Sequence, residues 1–134
     1  MKAAAALTLA LLAACDDAPA EDCAAGDDAA IACAPLHAPE LAEIQARTLT
    51  PSCAVAGGAC HAAEGRAGGL DLSSAAASYE GLVAGGRVQP GSPACSELVH
   101  RIDGAGALLM PPGAPLSEAA RCAIRQWIHA GATP

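Results

Sequence analysis

Two aromatic side chains, Tyr79 and Trp127, are all the rings that this chain of 134 residues offers a core, and there is no phenylalanine. Hydrophobic residues fill 53% of positions, but alanine alone accounts for 37 of them. A core of Ala, Leu, Ile and Val buries little area per residue, so a domain this small needs cross-links or a bound cofactor. The length fits one domain, or a tail plus one small domain, and excludes a two-lobed enzyme. A formal charge of −7 excludes nucleic acid as a partner, because phosphates demand a basic face.

Cross-links are available in number. The cysteines are Cys15, Cys23, Cys33, Cys53, Cys60, Cys95 and Cys122. The chain opens Met1-Lys2 and continues with twelve largely apolar residues, Ala3 to Ala14. That is the size of a secretory signal core and too short to span a bilayer. It ends Leu12-Ala13-Ala14-Cys15 before Asp16-Asp17, which resembles a bacterial lipobox. Residues 1–14 are therefore expected to be a signal peptide and Cys15 the lipidation site. The chain would be exported and lipid-anchored to the periplasmic face of the inner or outer membrane. Assigning Cys15 to lipid leaves six cysteines in an oxidising compartment, with a pairing that sequence does not fix. Proximity favours Cys23 with Cys33, Cys53 with Cys60, and Cys95 with Cys122. Cys53 and Cys60 can equally both bind a cofactor.

From Asp16 to His37 there are six acids and no base, so residues 15–38 read as an acidic flexible tether. Residues 39–134 read as the folded domain. Pro39 opens a helical pattern through Leu41, Ile44 and Leu49 that Pro51 is expected to end. Ser73 or Ser74 caps a short helix through Tyr79, Leu82 and Val83, stopped at Gly85-Gly86. Pro93 starts another, with Leu98, Val99 and Ile102, ending at Gly104. Leu108 to Pro115 is an extended, proline-rich loop. Ser117 caps a last helix whose Ala120, Ile124, Trp127 and Ile128 recur at helical spacing until Gly131. No run of alternating β-branched residues appears, so the fold class is all-α, with short helices and long loops.

Chemistry concentrates at Cys53, Cys60-His61 and Met110. A c-type haem is held when two thiols add across its vinyl groups and the His beside the second Cys ligates the iron. Met110, in Leu109-Met110-Pro111-Pro112-Gly113 ahead of the last helix, is placed to supply the opposite axial sulfur. Its prolines stop it retreating into a helix. His100 and His129 are alternative ligands, though both read as exposed helix residues, and His37 has no assigned role. Arg87 suits a haem propionate, but a salt bridge within its loop is the simpler reading. Trp127 reads as the anchor between the terminal helices. Cys53, Cys60 and His61 make a poor zinc site, lacking a clear fourth ligand. No Gly-x-Ser-x-Gly, His-Glu-x-x-His or phosphate loop is present, so no enzyme is expected.

From about Pro39 to Gly131 the chain resembles the small cytochrome c-like domains of exported bacterial lipoproteins of myxobacterial and planctomycete type. The matching stretches are Ile44-Gln45 with Leu49 to Cys53, Cys60-His61, Gly69 to Ser73, Tyr79 to Val83, Arg87 to Pro93, Met110 to Gly113, and Ile124 to Ile128 with Gly131-Ala132. The resemblance implies a cytochrome c-like all-α fold with crossed first and last helices. It also implies covalent haem c, with His61 and Met110 as iron ligands. The departure is spacing: six residues, Ala54 to Ala59, stand where the usual motif has two. Gly57-Gly58 can let the extra residues bulge out, or Cys53 and Cys60 can join as a disulfide. The first reading is a membrane-tethered, monohaem one-electron carrier serving redox partner proteins. The alternative is a haem-free, disulfide-stapled lipoprotein acting as a binding or structural module.

Overall fold

A computed structural model describes residues 27–104 and 109–134. The signal segment, Cys15, Cys23 and the first part of the expected tether lie outside the described residues. Among the described residues every regular element is helical, which bears out the all-α class.

The last helix, α6 (Glu118–His129), is the clearest product of its sequence. Ser117 accepts a hydrogen bond from the Ala120 N–H at 3.2 Å, and Glu118 sits in the first turn, where the helix dipole favours an acid. Ala120, Ala123, Ile124, Trp127 and Ile128 are all buried, the spacing of one helical face. Trp127 donates from Nε1 to the Thr133 carbonyl at 2.8 Å, which pulls the chain end back over the helix.

Against this helix pack α1 (Asp27–Ile31), α2 (Leu41–Ile44) and α5 (Glu97–Asp103), while α3 (Thr50–Ser52) follows on from α2 and α4 (Ala75–Tyr79) packs on α2. Short 3-10 turns occupy Ala67–Gly69 and Pro93–Cys95. The expected helix from Pro93 is thus split, with α5 beginning only at Glu97. Ser74, not Ser73, caps α4 by accepting from the Ala77 N–H.

Two π-helical turns extend α2 and α4, at Gln45–Leu49 and Glu80–Ala84. The first explains why Pro51 does not end the helix, contrary to what the sequence predicted. The Thr50 N–H reaches the Gln45 carbonyl, a five-residue step, so the wider turn relieves the clash that proline makes in a regular helix. The chain then continues helically to Ser52. Gln45, buried in this turn, donates to the Leu72 carbonyl at 2.8 Å and to Thr50 Oγ1 at 3.0 Å. Its Oε1 accepts from Ser78 Oγ at 2.7 Å, so one amide ties α2, α4 and the strand-like connection between them.

Residues 15–38 were expected to be a free tether; from Asp27 onward they are instead fastened to the body. Cys33 is disulfide-bonded to Cys122, with Cα atoms 6.0 Å apart and a sequence separation of 89. Arg125 Nε donates to the Ala30 carbonyl at 2.9 Å, and Gln126 Nε2 to those of Ile31 and Cys33. His37, given no role by the sequence, bonds Thr48 Oγ1 through Nε2 at 3.0 Å. Arg125 is itself buried and meets both oxygens of Asp103, at 2.8 and 2.9 Å, as well as Glu118. The pairing by proximity is therefore corrected. Cys122 takes Cys33 rather than Cys95, Cys95 is disulfide-bonded elsewhere, and Cys53 and Cys60 are free thiols.

Candidate cofactor site

The widened motif folds back on itself. The His61 N–H donates to the Cys53 carbonyl at 3.1 Å, and the His61 carbonyl accepts from the Leu72 N–H at 2.7 Å. Ala54 stays in the core, and residues 55–59 leave the body as a bulge, closed by the Gly58 N–H on the Val55 carbonyl at 2.9 Å. Gly57 has a φ of +73°, a left-handed value that glycine adopts without strain. Val55, at the tip, is 57% exposed. The glycines thus do what the sequence expected of them, and the extra length does not separate Cys53 from His61.

Behind the bulge lies a cavity of about 450 Å³. Its walls are largely aliphatic, Leu49 and Leu82 from the two π-helical turns, Leu70 and Leu72, Leu98 and Ile102 from α5, Leu116, and Ile124 from α6, with Arg87, Glu97 and Arg101 adding charge to the lining. Cys53, His61 and Met110 all line it. Three of the four cofactor-binding residues expected from the sequence therefore meet in one apolar space. Cys60, the fourth, is exposed and is not part of the lining.

His61 Nδ1 lies 3.3 Å from the Leu70 carbonyl, which can only accept, so Nδ1 is the ring nitrogen that donates there. That is the arrangement of a metal-ligating imidazole, whose second nitrogen is anchored to a carbonyl. Met110 is fixed by its own N–H on the Arg101 carbonyl at 2.8 Å. Burial, and secondarily the neighbouring Cys60, push the Cys53 thiol up to about 11, so it stays protonated at neutral pH. Asp71, beside the wall, is held below the usual carboxylate range by Ser73.

The other expected ligands lie elsewhere. His100 and His129 are exposed on α5 and α6, as their bland reading implied. Arg87 lines the cavity but forms no salt bridge among the described residues, contrary to the loop pairing expected of it; it donates instead to the carbonyls of Gly81 and Gly68. No sequence signal pointed to the Leu70 carbonyl that orients His61, because a backbone acceptor has no side-chain signature. Among the described residues no three His, Cys, Asp or Glu side chains cluster to hold a metal ion. A porphyrin iron with one imidazole and one thioether needs no such cluster, and the soft sulfur, oriented imidazole and apolar walls fit that group. No helix of the described residues is long and apolar enough to cross a membrane.

Residues 58–113 match the family model described as Planctomycete cytochrome C. No curated protein and no solved structure matches the chain. The matched segment holds Cys60, His61 and Met110 and most of the cavity wall, and starts after Cys53. Over residues 58–113, then, this chain is similar to a cytochrome c-like domain of the planctomycete type, as its motifs implied.

Proposed function

We propose that the chain is a membrane-tethered, monohaem c-type cytochrome that carries single electrons between redox partner proteins. The observation that carries this reading is the convergence of Met110 on the cavity that Cys53 and His61, about fifty residues earlier, also line. The family match and the free state of Cys53 and Cys60 support it. The haem-free alternative drew on a Cys53–Cys60 bond, and that bond is not formed.

In this reading Cys53 and Cys60 attach the haem, while His61 Nε2 and Met110 Sδ are the iron ligands. The bound group would supply reversible one-electron chemistry, at the relatively high potential that a His/Met pair favours. The largely aliphatic walls would limit the access of water, and the Leu70 carbonyl orients the imidazole through Nδ1. An iron held by both His61 and Met110 would have no position open to a substrate, which makes this reading a carrier rather than an enzyme. The fold is then a cytochrome c-like one, with the α2–α3 segment and α6 as its crossed first and last helices. Lipidation of Cys15 would hold the domain at the periplasmic face of a membrane.

The test is spectroscopic. Made in an exporting host with cytochrome c maturation proteins, the chain should give a c-type pyridine haemochrome that survives acid-acetone extraction. Met110→Ala should keep that covalent signal and change the visible spectrum of the native protein. A colourless product would overturn the assignment. Labelling with palmitate, lost in Cys15→Ser, checks the anchor separately.

A further inference from the structure

We infer that Asp103 and Arg125 are positioning residues for Met110: their ion pair between α5 and α6 fixes the helix end that carries the sulfur ligand of the haem reading, on which this rests. The link runs through the backbone. The last four carbonyls of a helix have no partner within it, and in α5 that of Arg101 is one of them. It accepts the Met110 N–H at 2.8 Å, so Met110 hangs from the terminal turn of α5. Gly104 follows that turn, and a Cβ there would stand 2.5 Å from the His100 carbonyl oxygen, so glycine lets the chain leave close over the helix end. Where this turn sits, Met110 follows.

Two kinds of contact fix the turn. Val99 and Ile102 are buried in the core, but apolar contact is non-directional and lets a seven-residue helix slide along its neighbour. Asp103, the last residue of α5, supplies direction. Both of its oxygens meet Arg125 Nη1 of α6, at 2.8 and 2.9 Å, and Oδ1 also accepts from Arg121 Nη1 at 3.2 Å. The Arg125 side chain is only 7% exposed, and its Nε is held on the Ala30 carbonyl at 2.9 Å, so the guanidinium offered to Asp103 cannot swing away. A charge-assisted contact shielded in this way is stronger and more directional than a surface pair. Glu118 also meets Arg125, but it belongs to α6 itself and ties nothing to α5. The two carboxylates thus have separable roles: both balance the buried cation, and Asp103 alone holds α5 down.

The experiment compares Asp103→Asn with Glu118→Gln in the full chain. Each removes one carboxylate from Arg125 and leaves it the other, so a merely structural role predicts similar effects. Without haem, hydrogen exchange at the Met110 amide should be about tenfold faster in Asp103→Asn, the factor set by the net worth of one hydrogen bond, and unchanged in Glu118→Gln. In the haem-loaded chain, added imidazole competes with Met110 for the iron. It should bind about tenfold more tightly to Asp103→Asn alone, because a ligand held less firmly competes less well. Unchanged exchange or imidazole affinity in Asp103→Asn, or equal changes in both variants, overturns the positioning role and leaves the haem reading standing. A wild-type chain that takes up no haem overturns the haem reading and the ligand-holding role together, whatever the exchange shows. Should Asp103→Asn fail to fold by circular dichroism, Arg125→Lys takes its place. It keeps the charge but not the guanidinium that spans Asp103 and the Ala30 carbonyl, and unchanged exchange at Met110 then overturns the assignment.

Discussion

Cys53 and Cys60 flank a single bulge yet live in different surroundings. Cys53 lines the cavity with its thiol pushed up to about 11, chiefly by burial, whereas Cys60 is exposed. In the haem-free chain at neutral pH a maleimide should therefore modify Cys60 at least about tenfold faster than Cys53, as peptide mass mapping would read, because only the accessible thiolate reacts. The same shift makes stability depend on pH. Burial favours the neutral thiol in the folded state, so the unfolded chain loses its proton first. The Cys53 contribution is thus intact below about 9 and is lost as pH rises toward about 11. Denaturant titrations should show wild type losing about 2–3 kcal/mol more than Cys53→Ser over that window, from ~1.4 kcal/mol per pH unit. At this scale the sequence was legible where a side chain carries the chemistry, as with His61 and Met110. It was silent where the backbone does, as with the Leu70 carbonyl.

Among the elements, α6 could be read directly, since a serine cap and an apolar face at helical spacing are local signals. Neither π-helical turn could, because widening by one residue alters no periodicity that a short segment displays; yet each places a leucine, Leu49 or Leu82, on the cavity wall. α1 was missed for a different reason. Its Asp-rich sequence has no apolar face, and its place is set by groups some ninety residues away, the Cys33–Cys122 bond and Arg125. That bond closes a long loop, worth about 4–5 kcal/mol in the chain-entropy account. Cys33→Ser should cost about 2–5 kcal/mol by denaturant unfolding and should raise hydrogen exchange in residues 27–37 before it does so around the cavity. Uniform loosening of the whole domain would contradict the view of α1 as a separately docked element.

For the whole molecule, the shortage of aromatic side chains and the cavity are two sides of one fact. Largely aliphatic walls line a space of about 450 Å³ that neither Tyr79 nor Trp127 lines, Trp127 of α6 being engaged with the Thr133 carbonyl. A large apolar group seated there would complete the core. The loaded protein should accordingly melt about 10 °C or more above the haem-free chain, given ~4–8 °C per kcal/mol for a domain of this size. Equal melting temperatures would count against the cavity as the cofactor's seat. The most direct test of that claim is the intact mass of the exported, matured chain, denatured without reductant and then treated with an alkylating agent. A mass raised by one haem, with Cys53 and Cys60 unalkylated, is the predicted result. A mass without haem, with both of those thiols alkylated, would contradict the account.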